Sequence, residues 1–233
     1  TRLGLPGMPR AGEDAAVYRD LELARASGGH LHVAHVSTQG AVEIIRRAKE
    51  EGVNVTAEAT PHHFSQDHAC CRAYSTMYKM NPPLREAEDV AAIAQGLADG
   101  VIDCIATDHA PHTATEKELQ FDQAPFGVIG LETALAVGIT YLVRDGKMSL
   151  GQLIYRMSER PAEIAHLPGG RLQEGQEADF MLFDPEAEWS VESSVFHSKS
   201  RNSSFLGEKL TGKVVATFLR GRLTYHDELT SLK

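Results

Sequence analysis

Ile105-Ala106-Thr107-Asp108-His109-Ala110-Pro111-His112 is the stretch that decides the fold. Residues 101–106 form an apolar run that ends abruptly in an acid and two histidines. Such a run is typical of a buried strand in a parallel sheet, and the catalytic groups of β/α barrels lie just past the carboxyl ends of the strands. Asp108 therefore has two interpretations: a carboxylate that binds a metal or moves a proton, or an ordinary helix N-cap.

Helical and strand patterns alternate upstream of this stretch. Helices are predicted over 11–27, 40–51 and 86–100, and strands over 53–59 and around Leu31 and Val33. Each strand runs into a polar, histidine-bearing segment, with His35 after the first and His62 and His63 after the second. The alternation predicts βα units on a parallel sheet, and three polar strand ends indicate one shared site at one face of that sheet.

The second half of the chain changes character near Gly169 and Gly170. Before that point we predict a charged loop at 113–117, helices over 131–144 and 149–160, and a short third helix from Pro161. Beyond it, strands are predicted over 178–185 and, as strand, turn and strand, over 212–223. We therefore divide the chain into a β/α barrel portion, 1–174, and part of a small β-sandwich module, 175–233. The module is too short to close a core alone and needs partner strands.

Composition excludes several classes of protein. The 233 residues carry a formal net charge of -9, which argues against a nucleic-acid-binding surface and an anionic membrane partner. No apolar stretch is long enough to span a bilayer and no signal peptide is visible. The three cysteines do not form a disulfide framework, which fits a reducing cytosol, so we expect a cytoplasmic protein. Cys104 is expected to be a small core residue, and a metal site at Cys70-Cys71 is disfavoured.

Five sequence blocks together resemble the dihydroorotases, the cyclic-amide hydrolases of pyrimidine synthesis in the amidohydrolase superfamily. They are HVAHVST (32–38), AEATPHH (57–63), YKMNPPLR (78–85), DCIATDHAPH (103–112) and APFGVIGLET (124–133). The resemblance favours the longer bacterial type over hydantoinases and allantoinases. It implies a distorted (β/α)₈ barrel with two metal ions, usually zinc, and the reversible interconversion of N-carbamoyl-L-aspartate and L-dihydroorotate.

The resemblance also implies roles for individual residues. His35 matches a metal ligand of the family, and Asp108 matches a metal ligand that also takes a proton. Contacts with the substrate are implied for Asn81, His112, Ala124, Pro125, Phe126 and Gly127. His32, in contrast, is interpreted as a strand residue, and His62 and His63 as structural histidines, because they match no ligand of the family. The glycines at 127 and 130 are expected to let the backbone approach a ligand closely.

The remaining metal ligands of the family match nothing in this chain and are expected upstream of Thr1. Catalytic zinc normally has three protein ligands, so we expect this chain alone to bind metal weakly and to be inactive. A half-barrel exposes sheet edges and is not expected to be a stable monomer. The complete protein is expected to be a homodimer, with association with aspartate transcarbamoylase as a further hypothesis.

Two alternatives stay open. One is a related cyclic amidase, such as a hydantoinase or an allantoinase. The other is a non-catalytic, dihydroorotase-like subunit of aspartate transcarbamoylase. The joint presence of His35, Asn81, Asp108 and His112 argues against this second alternative, because a purely structural subunit has no need of all four.

Overall fold

The computed structural model describes residues 3–227, so residues 1–2 and 228–233 of the two predicted units lie outside the described residues. The first half alternates helices with short strands. Its elements are α1 (Arg10–Ser27), β1 (Leu31–Val33), α2 (Gln39–Glu50), β2 (Val55–Ala59), α3 (Pro61–Ser65), α4 (Ala87–Asp99) and β3 (Cys104–Ile105). Two 3₁₀ turns, His68–Ala73 and Thr76–Tyr78, lie between α3 and α4. The predicted alternation is confirmed.

The second half begins with helices and ends with strands. Its elements are α5 (Ala114–Lys117), α6 (Ala134–Gly138), α7 (Leu150–Ile154), α8 (Arg160–Ile164), β4 (Phe180–Ser190), β5 (Lys209–Leu219) and β6 (Arg222–His226). Turns of π-helix, Ile139–Val143 and Tyr155–Glu159, continue α6 and α7, and a 3₁₀ turn at Ser193–Val195 follows β4. None of the helices within 3–227 combines the length and apolar character needed to cross a bilayer.

β1, β2 and β3 form a parallel sheet in sequence order. Leu31 pairs with Val55, and Glu58 pairs with Cys104. Because side chains alternate along a strand, each strand presents two different faces. Val55, Ala57, Ala59 and Ile105 pack into the hydrophobic core with the helices, whereas His32, Thr56 and Glu58 lie on the opposite face. The sheet thus has one apolar face against the helices and one polar face.

Polar side chains cap the first turns of the two helices that pack against this sheet, α2 and α4. The Thr38 side chain accepts a hydrogen bond from Ala41 N (3.1 Å) and caps α2. Glu86 and Asp89 form a reciprocal capping box at the start of α4. Val42, Ile45, Ile93 and Leu97, all at or below 4% exposure, join the two helices to the sheet.

Residues 113–117 correct one expectation. The sequence suggested a charged loop, but Thr113 and Glu116 form a capping box that starts the one-turn helix α5. Lys117, at the end of this helix, is only 3% exposed. The helix predicted from 131 also begins later, at Ala134, and Leu131 remains exposed.

β4, β5 and β6 form an antiparallel sheet in sequence order. Its end near Leu210 packs against Ile139 in the same core as the parallel sheet. At the other end, Met181 and Leu223 are 40% and 53% exposed. Among the described residues, the sheet is therefore covered by the core at one end only, and the need for partner strands stays a prediction. The division at residue 174 stays a prediction.

Asp103 is a buried acid in the middle of the run that the sequence presents as apolar. It is 4% exposed, and its carboxylate accepts hydrogen bonds from Lys49 Nζ (2.5 Å), Arg160 Nη2 (2.8 Å) and Ala57 N (2.9 Å). Burial alone would raise the pKa of this carboxyl, but the hydrogen bonds from Lys49 and Arg160 outweigh it and lower the pKa below its ordinary value. Asp103 thereby joins α2, β2 and α8.

Replacing Asp103 tests this junction. Asp103→Ala leaves the half-buried Lys49 without a carboxylate partner and Arg160 with Glu163 alone, so we expect a loss of about 3–5 kcal/mol in the free energy of unfolding. Urea-induced unfolding measures the loss. Asp99→Ala is the matched control, because Asp99 pairs with Arg46 (3.3 Å) at the surface and such a pair contributes about 0–1 kcal/mol. Equal losses in the two variants would contradict the prediction.

Candidate functional site

His35 lies two residues beyond the end of β1, in a left-handed backbone conformation (φ 39°). Val36 N donates to Glu58 O (2.9 Å), which fixes this turn against β2. The half-buried imidazole has no hydrogen-bond partner within residues 3–227. A strained backbone that presents an unpartnered side chain is a frequent feature of functional sites.

Asp108 has the same two properties at the end of β3. Its φ is 47°, and its exposed carboxylate has neither a hydrogen bond nor an ion pair among the described residues. The loop is anchored immediately beyond it, since His109 Nδ1 accepts from Gly130 N (3.1 Å) and Ala110 N donates to Val128 O (2.9 Å). No helix begins at Asp108, because the next one is capped by Thr113. The structure therefore excludes the N-cap interpretation.

His62 and His63 form a buried pair at the end of β2, each 3% exposed. His63 Nε2 donates to Pro82 O (2.9 Å), so its Nδ1 accepts from the Thr60 hydroxyl (2.8 Å). Burial lowers the pKa of His63 to about 4 and that of His62 well below its ordinary value, with smaller contributions from nearby His35. Both rings are therefore neutral, and His63 holds the Asn81-Pro82 segment beside His35.

Arg85 ties this segment to the start of the chain. Its guanidinium donates to Met8 O (2.6 Å), Ser37 Oγ (3.0 Å) and Glu13 Oε2 (3.1 Å). Glu13 in turn accepts from Ser37 N (2.8 Å), next to the turn that carries His35. The last residue of the block at 78–85 therefore positions the end of β1 as well as its own segment.

The predicted substrate loop, Ala124–Pro125–Phe126–Gly127, lies against the segment before Asn81. Lys79 Nζ donates to Ala124 O (2.6 Å) and lies 4.6 Å from the centre of the Phe126 ring. Gly127 N donates to Lys79 O (2.8 Å). Asn81 itself is exposed and follows this contact by two residues. The two predicted substrate-contacting segments are thus one packed unit.

Lys117 supports the same loop from beneath and was missed at the level of sequence. Its Nζ donates to Pro125 O and to Gly127 O, both at 3.0 Å. It has no carboxylate partner among the described residues. Burial, with a smaller effect of Lys79, lowers the pKa of Lys117 to about 8. The Thr113/Glu116 capping box was the one local signal, since it predicts a helical turn ending at Lys117.

His112 and Asn202 close the unit from the other side. His112 Nε2 donates to Phe126 O (2.8 Å), and its backbone N donates to Asn202 Oδ1 (3.2 Å). The buried Asn202 side chain also donates to Ala110 O (2.9 Å). Asn202 comes from the segment between β4 and β5, in the second predicted unit. No motif marks it, so sequence inspection had no means of finding it.

The glycines at 127 and 130 admit the loop that carries Asp108. Gly127 has φ 92°, and a Cβ there would lie 2.7 Å from the Ala110 Cβ. A Cβ at Gly130 would lie 2.9 Å from Thr107 O. The close approach that these glycines allow is therefore to the chain's own backbone and side chains at 107–110, whereas the sequence suggested approach to a ligand.

The predicted site residues thus fall into two groups that meet at residues 79–82. One group contains His35 with His62 and His63, and the other contains His112 with 124–127. Asp108 is on the loop pinned to 127–130. Within the described residues, the one group of three close metal-ligating side chains is His32, Glu58 and Cys104, so His35 and Asp108 alone do not complete a donor set.

The buried histidine pair makes stability depend on pH. Between about pH 6.5 and about pH 4, the unfolded chain binds protons at His62 and His63 that the folded chain does not bind, so stability falls as the pH is lowered through this window. His62→Phe, which keeps an aromatic ring, is expected to show a shallower loss of urea midpoint on acidification. Parallel pH profiles for the variant and the unchanged chain would refute this.

Lys117→Met is expected to cost about 1–3 kcal/mol in the free energy of unfolding, because two carbonyls of the 124–127 loop lose their donor. The folded pKa of Lys117 is about 8 and the unfolded value is 10.5, so above pH 8 the unfolded chain binds the extra proton. Stability of the unchanged chain should therefore rise relative to the variant between these values. Urea unfolding across this range measures both effects, and a pH-independent difference would contradict the second.

The sequence model of the amidohydrolase family matches residues 6–224. A dihydroorotase of Geotalea daltonii is 51% identical over 225 residues, covering 97% of this chain and 53% of that protein. A dihydroorotase of Syntrophus aciditrophicus is 47% identical over 228 residues, covering 98% of this chain and 53% of that protein. The chain thus spans about half the length of the curated relatives it matches.

Solved structures give the same result for the fold. A D-hydantoinase from a Bacillus sp. AR9 matches with a TM-score of 0.89 at 28% identity, covering 94% of this chain and 50% of that one. The L-hydantoinase of Arthrobacter aurescens matches with a TM-score of 0.86 at 32% identity and the same coverage. The resemblance seen in the sequence blocks and the predicted α/β fold of amidohydrolase type are therefore confirmed, and the chain belongs to the amidohydrolase family.

Proposed function

We propose that this chain is part of a zinc-dependent dihydroorotase, which interconverts N-carbamoyl-L-aspartate and L-dihydroorotate in pyrimidine synthesis. The observation that carries the proposal is the pair of unpartnered strand-end side chains, His35 and Asp108, each on a left-handed turn. The proposal is further supported by the contacts of Lys79 with Ala124 O and Gly127 N, which join the segment of Asn81 to the 124–127 loop. Relatives 47–51% identical to this chain carry the name dihydroorotase.

The donor types at these two positions fit zinc, which takes imidazole nitrogen and carboxylate oxygen as ligands. Because neither side chain is engaged elsewhere among residues 3–227, both are free to bind a metal. Zinc bound here supplies a water of lowered pKa and polarises a carbonyl oxygen. Two ligands are too few for a catalytic site, so the proposal includes further ligands from outside this chain.

Asp108 is the proton carrier in the proposed reaction. In ring opening, the water oxygen bonds to the amide carbonyl carbon, and Asp108 takes the proton that the water loses. When the carbon–nitrogen bond breaks, Asp108 delivers that proton to the leaving nitrogen. The carboxylate is exposed, and its loop is held by the contacts of His109 and Ala110. Asp108 is therefore held in place while its oxygens make no hydrogen bond to the described residues.

Asn81, His112 and the 124–127 loop orient the substrate. Because His112 Nε2 is committed to Phe126 O, Nδ1 is the nitrogen left to accept a ring N–H. The exposed Asn81 amide can donate to the substrate carboxylate. Contacts at both ends of a small ring fix the orientation of the reacting carbonyl, which lowers the entropic part of the reaction barrier.

The same proposal includes the finer architecture, a distorted (β/α)₈ barrel followed by a small β-sandwich module. It is supported by three parallel strands in sequence order with a polar face opposite the helices. A groove of about 230 Å³ runs between α1 and the open edge of β1, lined by Ala16, Val17, Leu31 and Val33, where a further strand could pair. A cytoplasmic homodimer is part of the proposal, and binding to aspartate transcarbamoylase is a separate hypothesis that co-purification tests.

A hydantoinase activity is the second candidate. It is favoured by the solved structures, since hydantoinases match this chain with TM-scores of 0.86–0.89. Their identity of 28–32% is lower than the 47–51% of the dihydroorotases. Turnover of L-dihydroorotate, hydantoin and allantoin by one preparation of the complete protein separates the candidates.

Asp108→Asn tests the proposed mechanism. In the complete protein, kcat for L-dihydroorotate should fall about 10²–10⁴-fold, because the carboxamide cannot carry the proton. Asp122→Asn is the matched control, since Asp122 is an exposed acid on the neighbouring loop, and it should leave kcat unchanged. This chain alone should show no turnover. Full activity of Asp108→Asn, or preferred turnover of hydantoin, would refute the proposal.

A further inference from the structure

His32, Glu58 and Cys104 form a cluster on the polar face of the parallel sheet. They come from β1, β2 and β3, one from each strand. Glu58 and Cys104 are direct partners in the register, and His32 pairs with Thr56, two residues before Glu58. One ligand atom from each side chain lies within 4.8 Å of the other two.

We propose that His32, Glu58 and Cys104 bind a zinc ion that cross-links the three strands. Imidazole nitrogen, carboxylate oxygen and thiolate sulfur are all zinc ligands, and the combination with a thiolate disfavours magnesium and calcium. Three protein ligands leave one position for water. The site is separate from His35 and Asp108, which lie beyond the strand ends, and it does not depend on the proposed hydrolase activity.

The surroundings of His32 are those of a metal-binding histidine. Its Nδ1 lies 2.8 Å from Thr56 Oγ1, and Nε2 donates to Glu58 Oε2 (3.1 Å). A ligating histidine usually has its second nitrogen engaged by a neighbouring polar group, which fixes the ring orientation. Zinc would bind Nε2 in the tautomer whose proton lies on Nδ1, and Nδ1–H would then donate to Thr56 Oγ1, which fixes the ring.

The strands themselves are short enough to gain from such a cross-link. β1 has three residues and β3 has two, so few backbone pairs join them to β2. A metal bound to one side chain from each strand adds a constraint that the backbone ladder provides only weakly. If the metal binds the folded sheet but not the unfolded chain, the free energy of metal binding adds to the stability of the fold.

Cys104 supplies the chemical signature of the site. Metal uptake forms a zinc–sulfur bond as the S–H bond of the Cys104 thiol breaks and the proton leaves to solvent. Affinity should consequently rise with pH. The site formed by His35 and Asp108 contains no sulfur, so a spectroscopic signal from a thiolate distinguishes the two.

Cobalt substitution tests the proposal on this chain. Cobalt(II) added to the metal-free chain should give a sulfur-to-metal charge-transfer band in the near ultraviolet, saturating at one equivalent. The double variant Cys70→Ser/Cys71→Ser should keep the band, which leaves Cys104 as the only thiol of the chain. Zinc added afterwards should abolish the band by displacement. Absence of the band from the unchanged chain overturns the proposal, as does its loss in the double variant.

Further variants separate this site from the one at His35 and Asp108. Cys104→Ser should lose the band, whereas His35→Ala/Asp108→Asn should keep it with the same saturation point. Thr56→Val retains all three ligands and removes only the hydroxyl beside His32 Nδ1, so cobalt affinity should fall about 10–100-fold with the band preserved. A band that survives Cys104→Ser, or disappears with His35 and Asp108, would show that the metal binds elsewhere. Should Cys104→Ser not fold, the double variant still decides the outcome.

Discussion

Parallel pairing of β1, β2 and β3 is the constraint on which the rest of the structure depends. Because each strand is followed by a helix that returns the chain, the carboxyl ends of all three strands lie at the same edge of the sheet. His35, the His62–His63 pair and Asp108 follow those ends one after another. Residues far apart in the sequence therefore share one edge, and His35 and Asp108 both adopt a left-handed backbone conformation there.

The second determinant is the way backbone carbonyls of the 124–127 loop are satisfied. Ala124 O accepts from Lys79, Pro125 O and Gly127 O accept from Lys117, and Phe126 O accepts from His112. A loop lacks the regular ladder that satisfies a strand, so each buried carbonyl requires its own donor. Lys117 is buried without a carboxylate partner among the described residues, and burial lowers its pKa to about 8. The proposed substrate loop is thus held by three side chains from outside it, Lys79, His112 and Lys117.

Much of this arrangement could be predicted from sequence because it is encoded locally. The alternation of helices and strands, the Thr38 cap and the polar strand ends all depend on neighbouring residues. Asn202 and the ion pairs of Asp103 could not be predicted, since their partners are more than forty residues away in the sequence. In the sequence, Asp103 is a single acid inside an apolar run, and nothing near it explains its burial. Only the fold brings Lys49 and Arg160 to its carboxylate. The π turns after α6 and α7 are equally invisible to periodicity, because they only displace the helical register by a fraction of a turn.

The two faces of the parallel sheet place different demands on the chain. Apolar side chains such as Ala57 and Ile105 bind the sheet to its helices, and they account for its position in the core. On the other face, His32 and Glu58 satisfy each other, and Thr56 lies within hydrogen-bonding distance of both His30 and His32. A further strand or a metal ion that covers this face must keep or replace these hydrogen bonds, whereas an apolar face would accept any apolar surface. The polar face therefore limits what can cover the sheet to a protein surface, or a metal ion, that satisfies these donors and acceptors.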